Sequence, residues 1–556
     1  MITLKKILKL PLIYISVISL TALIGLMKPG VWDSHDINHH LARVAAFYQS
    51  LSEGNFYPRW AGNLNNGFGH PSLMMFYPLV YYFGSLFHLI GFSFVNSLKA
   101  LIVISYLLSG VFVYIWLKKW LGKNSAIMGT ILYQFAPYRF VNIYVRAALG
   151  EHLAYLFIPL VFLFIYEYVK TKDKKTFSLL CFSLSGLILS HQFFFIIAFP
   201  FFLIYWLYLN RSRLVKFLIA ILIALSMTSF FWAPALIEGD KYTRRSDFGN
   251  KTMYSQAYLN FEELIFSSWR YGGYGDTYSR HEFSVQLGFV HWLVVLLGIG
   301  WLVYKLTKHS KKSGEFFILL FNVIVFFTAS FLMLKSSNFL LKFMPLEYFQ
   351  FPFRMINLTV ISSVFIGSII ITQVKTVKQK KAVLVLSILG ILFSIPCWRA
   401  KSFDNDIKSS DNYWLYQYQG TGDRSEHSPI WAPTKYLEKA PAKIQIASGE
   451  VEEIKIGKWL NQEHKYFVNT KTPTRLAEAT AYYPGWRVYV DGIKQNIEFQ
   501  DLYWPGMITF GTPAGYHEIK TVFGETKLRL IVDILSLLSL SGLCFWLIKG
   551  KHYNNL

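Results

Sequence analysis

Apolar runs of roughly 18 to 22 residues recur along most of this chain, each long enough to cross ~30 Å of hydrocarbon. That repetition fixes the class as a mainly α, polytopic membrane protein. Composition agrees: 53% of residues are hydrophobic, 18% aromatic and only 16% charged, against about 25% charged in an average soluble protein. The first run, 10–27, follows Lys5, Lys6 and Lys9 and lacks a small-x-small cleavage site. It reads as a retained signal anchor.

A formal net charge of +23 would suit nucleic acid, but the placement of the charges argues against that partner. Lysines gather in short clusters between apolar runs: Lys118, Lys119 and Lys123; Lys170, Lys172, Lys174 and Lys175; Lys375, Lys378, Lys380 and Lys381. Acidic residues are nearly absent from these clusters, which is the signature of cytoplasmic loops. With the N-terminus inside and every cluster cytoplasmic, about twelve spans result. They fall at 10–27, 98–117, 124–140, 151–169, 176–191, 192–210, 214–234, 284–305, 314–334, 352–374, 381–398 and 528–548. Both termini are then cytoplasmic. If 72–92 crossed fully, the later clusters would face outward, so it is expected to be interfacial or re-entrant.

On this topology the segments 29–97, 138–152, His191-Gln192, 237–283, 335–351 and 399–526 face outward, and they hold most of the unusual polar residues. Polar groups at the ends of many spans on one face imply one shared extracytoplasmic site. Within 399–526, Lys443–Ile446 and Glu453–Ile456 alternate like strands with one buried face. Arg487–Val490 runs into Asp491-Gly492, a strong hairpin turn pair. The expected division is a transmembrane domain over 1–398, an extracytoplasmic β-rich domain over 399–526, and a last helix with a cytoplasmic tail over 527–556. Cys181, Cys397 and Cys544 lie in apolar runs and offer neither a disulfide framework nor a zinc motif.

The stretch after the first run, Gly30 to Val44, holds Asp33, His35, Asp36, His39, His40 and Arg43. In a helix, Asp36, His40 and Arg43 share a face at i, i+4 and i+7, and Asp33 falls near the N-terminal end, where an anion is favoured. A carboxylate there can take a proton from an acceptor hydroxyl, and a guanidinium or metal can neutralise a departing phosphate. The same residues also suit a solvated juxtamembrane helix with ordinary caps. Arg354 follows two aromatics and a proline at an outward span end; Arg139 and Arg146 have similar positions. Each is either a phosphate clamp or a snorkelling side chain. Glu151-His152 opens a span, as a cap or as a second acid lining a cavity, and His191 marks a tight turn. His40, Arg43, Arg139, Arg146, Glu151, His152, His191 and Arg354 are thus the candidate substrate-binding residues. Tyr271-Gly272-Gly273-Tyr274-Gly275 lacks the lysine and strand context of a phosphate loop; it suits stacking on sugar rings.

Several motifs carry a resemblance: His35-Asp36-Ile37-Asn38-His39-His40-Leu41-Ala42-Arg43, Gly54-Asn55-Phe56-Tyr57-Pro58-Arg59-Trp60, Gly67-Phe68-Gly69-His70-Pro71, Phe76-Tyr77-Pro78-Leu79, Gln350-Phe351-Pro352-Phe353-Arg354 and Tyr482-Tyr483-Pro484-Gly485-Trp486. With them the chain resembles the 6-pyruvoyl-tetrahydropterin synthase-related membrane family, although nothing in it is similar to a soluble pterin enzyme. That family is similar to YfhO-type bacterial membrane proteins and to the GT-C class of glycosyltransferases. The resemblance implies a glycosyltransferase that takes its sugar from a polyprenyl-phosphate donor and passes it to a cell-envelope acceptor, a glycan, lipid or protein. It maps the catalytic acid of the first outer loop onto Asp36, with Asp33 as second acid. The spacing here is Asp-x-x-Asp, not Asp-x-Asp. Membrane lipids are the other expected partners.

Asp33, His35, Asp36, His39, His40 and His70 are rich in ligand types, but no spacing is diagnostic of zinc or magnesium; a divalent cation stays an open alternative. A transporter or flippase for a lipid-linked glycan is the second functional class, although transporters favour ionisable groups near the midplane and the mid-span regions here are nearly charge-free. A non-catalytic assembly factor is the third.

Overall fold

Proline and lysine positions decide which apolar runs become full-length helices in the computed structural model. It describes residues 3–210, 214–244, 251–272, 284–309, 313–343, 346–418, 420, 426–433 and 442–549; Gly273, Tyr274 and Gly275 of the aromatic loop lie outside them. Among these residues, 8 helices are long and apolar enough to cross a membrane, or 9 if Leu214–Met227 and Ser229–Tyr242, bent by 69° at their junction, count as one span. Each of the twelve expected runs is helical, but three fall short of that test. The first helix, Thr3–Thr21, begins with the lysines. The run 124–140 yields a helix of only 12 residues, Lys123–Gln134, because Pro137 holds Ala136 in an extended conformation and starts a new turn. The run 176–191 gives Lys174–Ser190, 17 residues, ended by the extended backbone of His191. In 72–92 the longest helix, Leu79–Leu89, has 11 residues; at ~1.5 Å per residue it is too short to span.

The C-terminal β-rich part has a five-stranded and a three-stranded antiparallel sheet. After a two-stranded pair, β1 (Val31–Trp32) with β2 (Phe403–Asp404), come β3 (Ile444–Ser448), β4 (Val451–Trp459), β5 (Glu463–Thr470), β6 (Thr474–Ala481), β7 (Trp486–Val490), β8 (Ile493–Gln495), β9 (Met507–Thr512) and β10 (Gly515–Phe523). The sheet orders are β4-β5-β10-β7-β8 and β3-β6-β9. β7 and β8 are joined by Asp491-Gly492, with φ of 49° and 81°, both in the left-handed region that a two-residue primed turn requires. β4 departs from expectation: as an edge strand it leaves Ile456 41% exposed and buries no clean face.

The two parts share packing. Trp60, Phe68, Met74 and Met75, from the segment after the first long loop helix, enter the core of the sheets beside Tyr483, Trp486 and Phe523. Gly69 makes the approach feasible: at φ +82° it lies so close to Trp60 that an added Cβ would fall 2.3 Å from the indole nitrogen. The stretch 399–418 belongs with the helices, since β2 pairs with β1 and Trp414 is buried in the cluster around the Ile37–Ser52 helix.

Candidate functional site

Asp36 is the residue just before the helix Ile37–Ser52, and its side chain makes no capping hydrogen bond. The backbone ahead of it is pinned instead: His35 N donates to Val145 O at 2.9 Å and Asp36 N to Arg146 O at 3.0 Å. These bonds set Asp36 against the turn that leads into the Leu149–Thr171 helix. His40 and Arg43 follow on the same helix, 2% and 5% exposed. This is no solvated juxtamembrane helix; both side chains point into protein. The Tyr81 hydroxyl lies 3.3 Å from His40 Nδ1, and the Arg43 guanidinium stacks 3.6 Å above the Phe76 ring.

A cavity of about 300 Å³ gathers Asp36, His40, Arg43, Arg146, Glu151, His191 and Arg354. Its cationic wall is built around Glu151, in the first turn of its helix. Arg146 donates to Glu151 Oε1 at 3.0 Å and Arg354 Nε donates to the same oxygen at 2.9 Å. Arg146 also donates to Tyr138 and Asn142, at 2.8 and 2.9 Å, and Arg354 to the Phe349 carbonyl at 3.1 Å. Two guanidiniums share one carboxylate, so the cluster keeps a net positive charge. Glu151 therefore holds the arginines in place, and a carboxylate so paired is poorly suited to give up or take a proton.

His191 sits at the turn between two helices with its ring stacked on Tyr77, centroids 5.4 Å apart. Its Nδ1 is buried with no hydrogen-bond partner among the described residues, which leaves a ring nitrogen for a ligand. Tyr77 packs so tightly over Gly150 that a Cβ there would fall 2.4 Å from its ring. His35, also lining the cavity, is held below the usual histidine range by burial, although Asp36 opposes the shift. Its Nε2 donates to the Gly272 carbonyl at 2.9 Å.

Three of the expected residues lie elsewhere. Asp33 is half exposed and pairs with Lys401 at 2.9 Å. Its backbone continues the β1–β2 pairing through Ser402 O, at 3.0 Å, which turns it away from Asp36. Arg139 is buried between the rings of Tyr106 and Tyr155, each 4.5 Å away, and donates to Gln134 and Ser109. His152 stacks on Tyr106 and bonds the Ile102 carbonyl at 3.1 Å. Conversely, Gln350 and Glu426 line the cavity. Gln350 lies in a motif noted in the sequence, whereas no pattern around Glu426 signals its arrival from nearly 400 residues beyond Asp36. Among the described residues no group of three or more His, Cys, Asp and Glu could hold a metal ion. With Asp33 tied to Lys401, the donor set does not fit a two-carboxylate divalent-cation site.

A family described as 6-pyruvoyl-tetrahydropterin synthase related domain, membrane protein, matches residues 74–400. The chain belongs to that family. In this family member the matched segment carries Tyr77, Arg146, Glu151, His191 and Arg354, while Asp36, His40 and Arg43 precede it. An uncharacterised protein of Lactococcus lactis subsp. cremoris (strain MG1363) is 27% identical over 216 residues, which cover 36% of this chain and 35% of that relative. The chain thus spans about a third of that relative's length. Among solved structures it is similar to arabinofuranosyltransferase AftD from Mycobacteria, with 14% identity, 69% of this chain and 26% of that one covered, and a TM-score of 0.45. It is also similar to the apo Archaeoglobus fulgidus oligosaccharyltransferase, with 12% identity, 78% and 62% coverage, and a TM-score of 0.44.

Proposed function

We propose that this protein is an integral membrane glycosyltransferase. It moves a sugar from a polyprenyl-phosphate-linked donor to a cell-envelope glycan, lipid or protein acceptor on the extracytoplasmic face. The observation that carries the reading is one cavity holding both Asp36 and the Arg146–Glu151–Arg354 cluster. Asp36 accepts the proton of an acceptor hydroxyl as its oxygen attacks the anomeric carbon. The bond from that carbon to the phosphate oxygen breaks, and the lipid phosphate leaves with the electron pair. Arg354 and Arg146, held by Glu151, stabilise the charge that develops there. His191 Nδ1 and the aromatic wall of Phe76 and Tyr77 orient the sugar.

Mass spectrometry of cell-envelope glycans with and without the gene tests the reading. A sugar unit missing from one envelope component, and restored by the parent protein but not by Asp36→Asn, is the expected result. An unchanged glycan profile, together with an intact carrier pool, would overturn it.

A further inference from the structure

A second cavity, about 690 Å³ and more than twice the volume of the first, lies at the opposite end of the Leu149–Thr171 helix. Lys172, just past that helix, stands ~32 Å along its axis from Glu151. The cavity is a groove between the Leu214–Met227 helix and the C-terminal helix Lys527–Lys549. Its mouth carries Lys172, Lys174 and Lys216, with Trp546 beside them. Asp173, which caps the next helix by accepting from Thr176 N at 2.8 Å, offsets one of these three charges and leaves the mouth cationic. Lys174 lies 5.1 Å from the centre of the Trp546 ring.

From the mouth the walls become mainly apolar, with Ser226 and Ser539 the polar exceptions. From Lys216 to Ser226 one wall runs ~15 Å, and from Trp546 to Leu538 the other runs ~12 Å. That is about the depth of one leaflet, half of ~30 Å. Leu222 and Leu538 are 62% and 66% exposed in the groove region. The C-terminal helix turns most of its apolar surface away from the rest of the protein: only 17% of its apolar window is buried. At its other end the helix is tied by hydrogen bonds, where Asp533 accepts from Arg59 at 2.6 Å and Ser536 bonds Ser229 at 2.9 Å, while at the mouth Trp546 meets Phe177 edge-on at 5.8 Å.

We propose that this groove binds an anionic diacyl phospholipid of the surrounding leaflet, its phosphate among the three lysines and one acyl chain along the wall. Basic residues next to a membrane span attract anionic headgroups, and the apolar length selects a lipid over a free anion. The bound lipid seals the C-terminal helix against the bundle.

Native mass spectrometry of the full-length protein, equilibrated in micelles with phosphatidylglycerol, phosphatidylethanolamine or polyprenyl phosphate, tests this. Phosphatidylglycerol is expected to be retained at least ~10-fold more than phosphatidylethanolamine. The triple variant Lys172→Ala, Lys174→Ala, Lys216→Ala should lose that preference. Gly542→Leu, where the added side chain meets no atom within 4 Å of its Cβ, should lose retention with every charge intact, and it decides the matter if the triple variant does not fold. Equal retention of both phospholipids would overturn the proposal. So would displacement by inorganic phosphate, which would show a free-anion site, or by polyprenyl phosphate, which would make the isoprenoid carrier the occupant.

Discussion

Arg354 Nε donates to Glu151 Oε1 at 2.9 Å across 203 positions of sequence, and this bond joins the Pro352–Met355 turn to the first turn of the Leu149–Thr171 helix. Both side chains are largely buried, at 14% and 1% exposure. Arg146 shares the same oxygen. The site is thus assembled across the helical bundle, with each guanidinium held at a fixed angle before any ligand arrives.

Removing the shared carboxylate should therefore cost stability as well as function. Glu151→Gln leaves two buried guanidiniums uncompensated, and breaking one partner of a buried pair costs ~3–5 kcal/mol. The expected outcome is a clear fall in the thermal midpoint of the purified protein, larger than for Arg354→Lys. Equal midpoints would show that Glu151 does not hold the cluster.

How far could the sequence foresee this? The helical class was legible because apolar run length is dictated by bilayer thickness, and the Asp491-Gly492 hairpin was legible because few residues adopt its dihedrals. Asp36, His40 and Arg43 were legible as a set because helical spacing is local. What was not legible depends on distant partners. Arg139 and Arg146 look alike in sequence, yet one is boxed by tyrosines and the other meets Glu151. Asp33 and Asp36 are three residues apart, but strand pairing at β1 sends the first toward Lys401. One of the three short runs is short because Pro137 breaks a stretch that hydropathy alone reads as continuous.

Acid should weaken the junction between the helices and the sheets. Burial holds His70 down at about 3 and His427 at about 4. Unfolded, each titrates near ~6.5. Between these values the unfolded chain binds more protons, so stability falls as pH drops below about 6.5. For His70 alone the loss is about 2 kcal/mol at pH 5. Chemical unfolding at pH 7.5 and pH 5 should show it, with His70→Gln less pH-sensitive than the parent. An identical pH response in both would rule the effect out.

Gly69→Ala should loosen the same junction. A Cβ would strike the Trp60 ring at a left-handed φ that alanine tolerates poorly. Limited proteolysis of the 53–78 segment should accelerate in this variant. Unchanged cleavage would mean that the contact is readily accommodated.

The proposed extracytoplasmic placement of the site can be checked directly. Phe56 and Leu502 are 89% and 92% exposed. Cysteines introduced there should react with an impermeant thiol reagent on intact cells. Labelling only after lysis would put the cavity on the wrong side for a sugar donor in the outer leaflet.

The most direct test of the proposed chemistry is transfer from a synthetic polyprenyl-phosphate sugar by purified parent, Asp36→Asn, Arg354→Lys and Arg354→Ala proteins, with thermal midpoints followed in parallel. Asp36→Asn should lose ~10²–10⁴-fold in rate, the contribution of a general base. Arg354→Lys keeps the charge without the planar fork and should retain part of the activity, while Arg354→Ala should lose ~2–4 kcal/mol of transition-state stabilisation. Equal rates in all four folded proteins, or no transfer by the parent from any donor in a broad panel, would contradict the assignment.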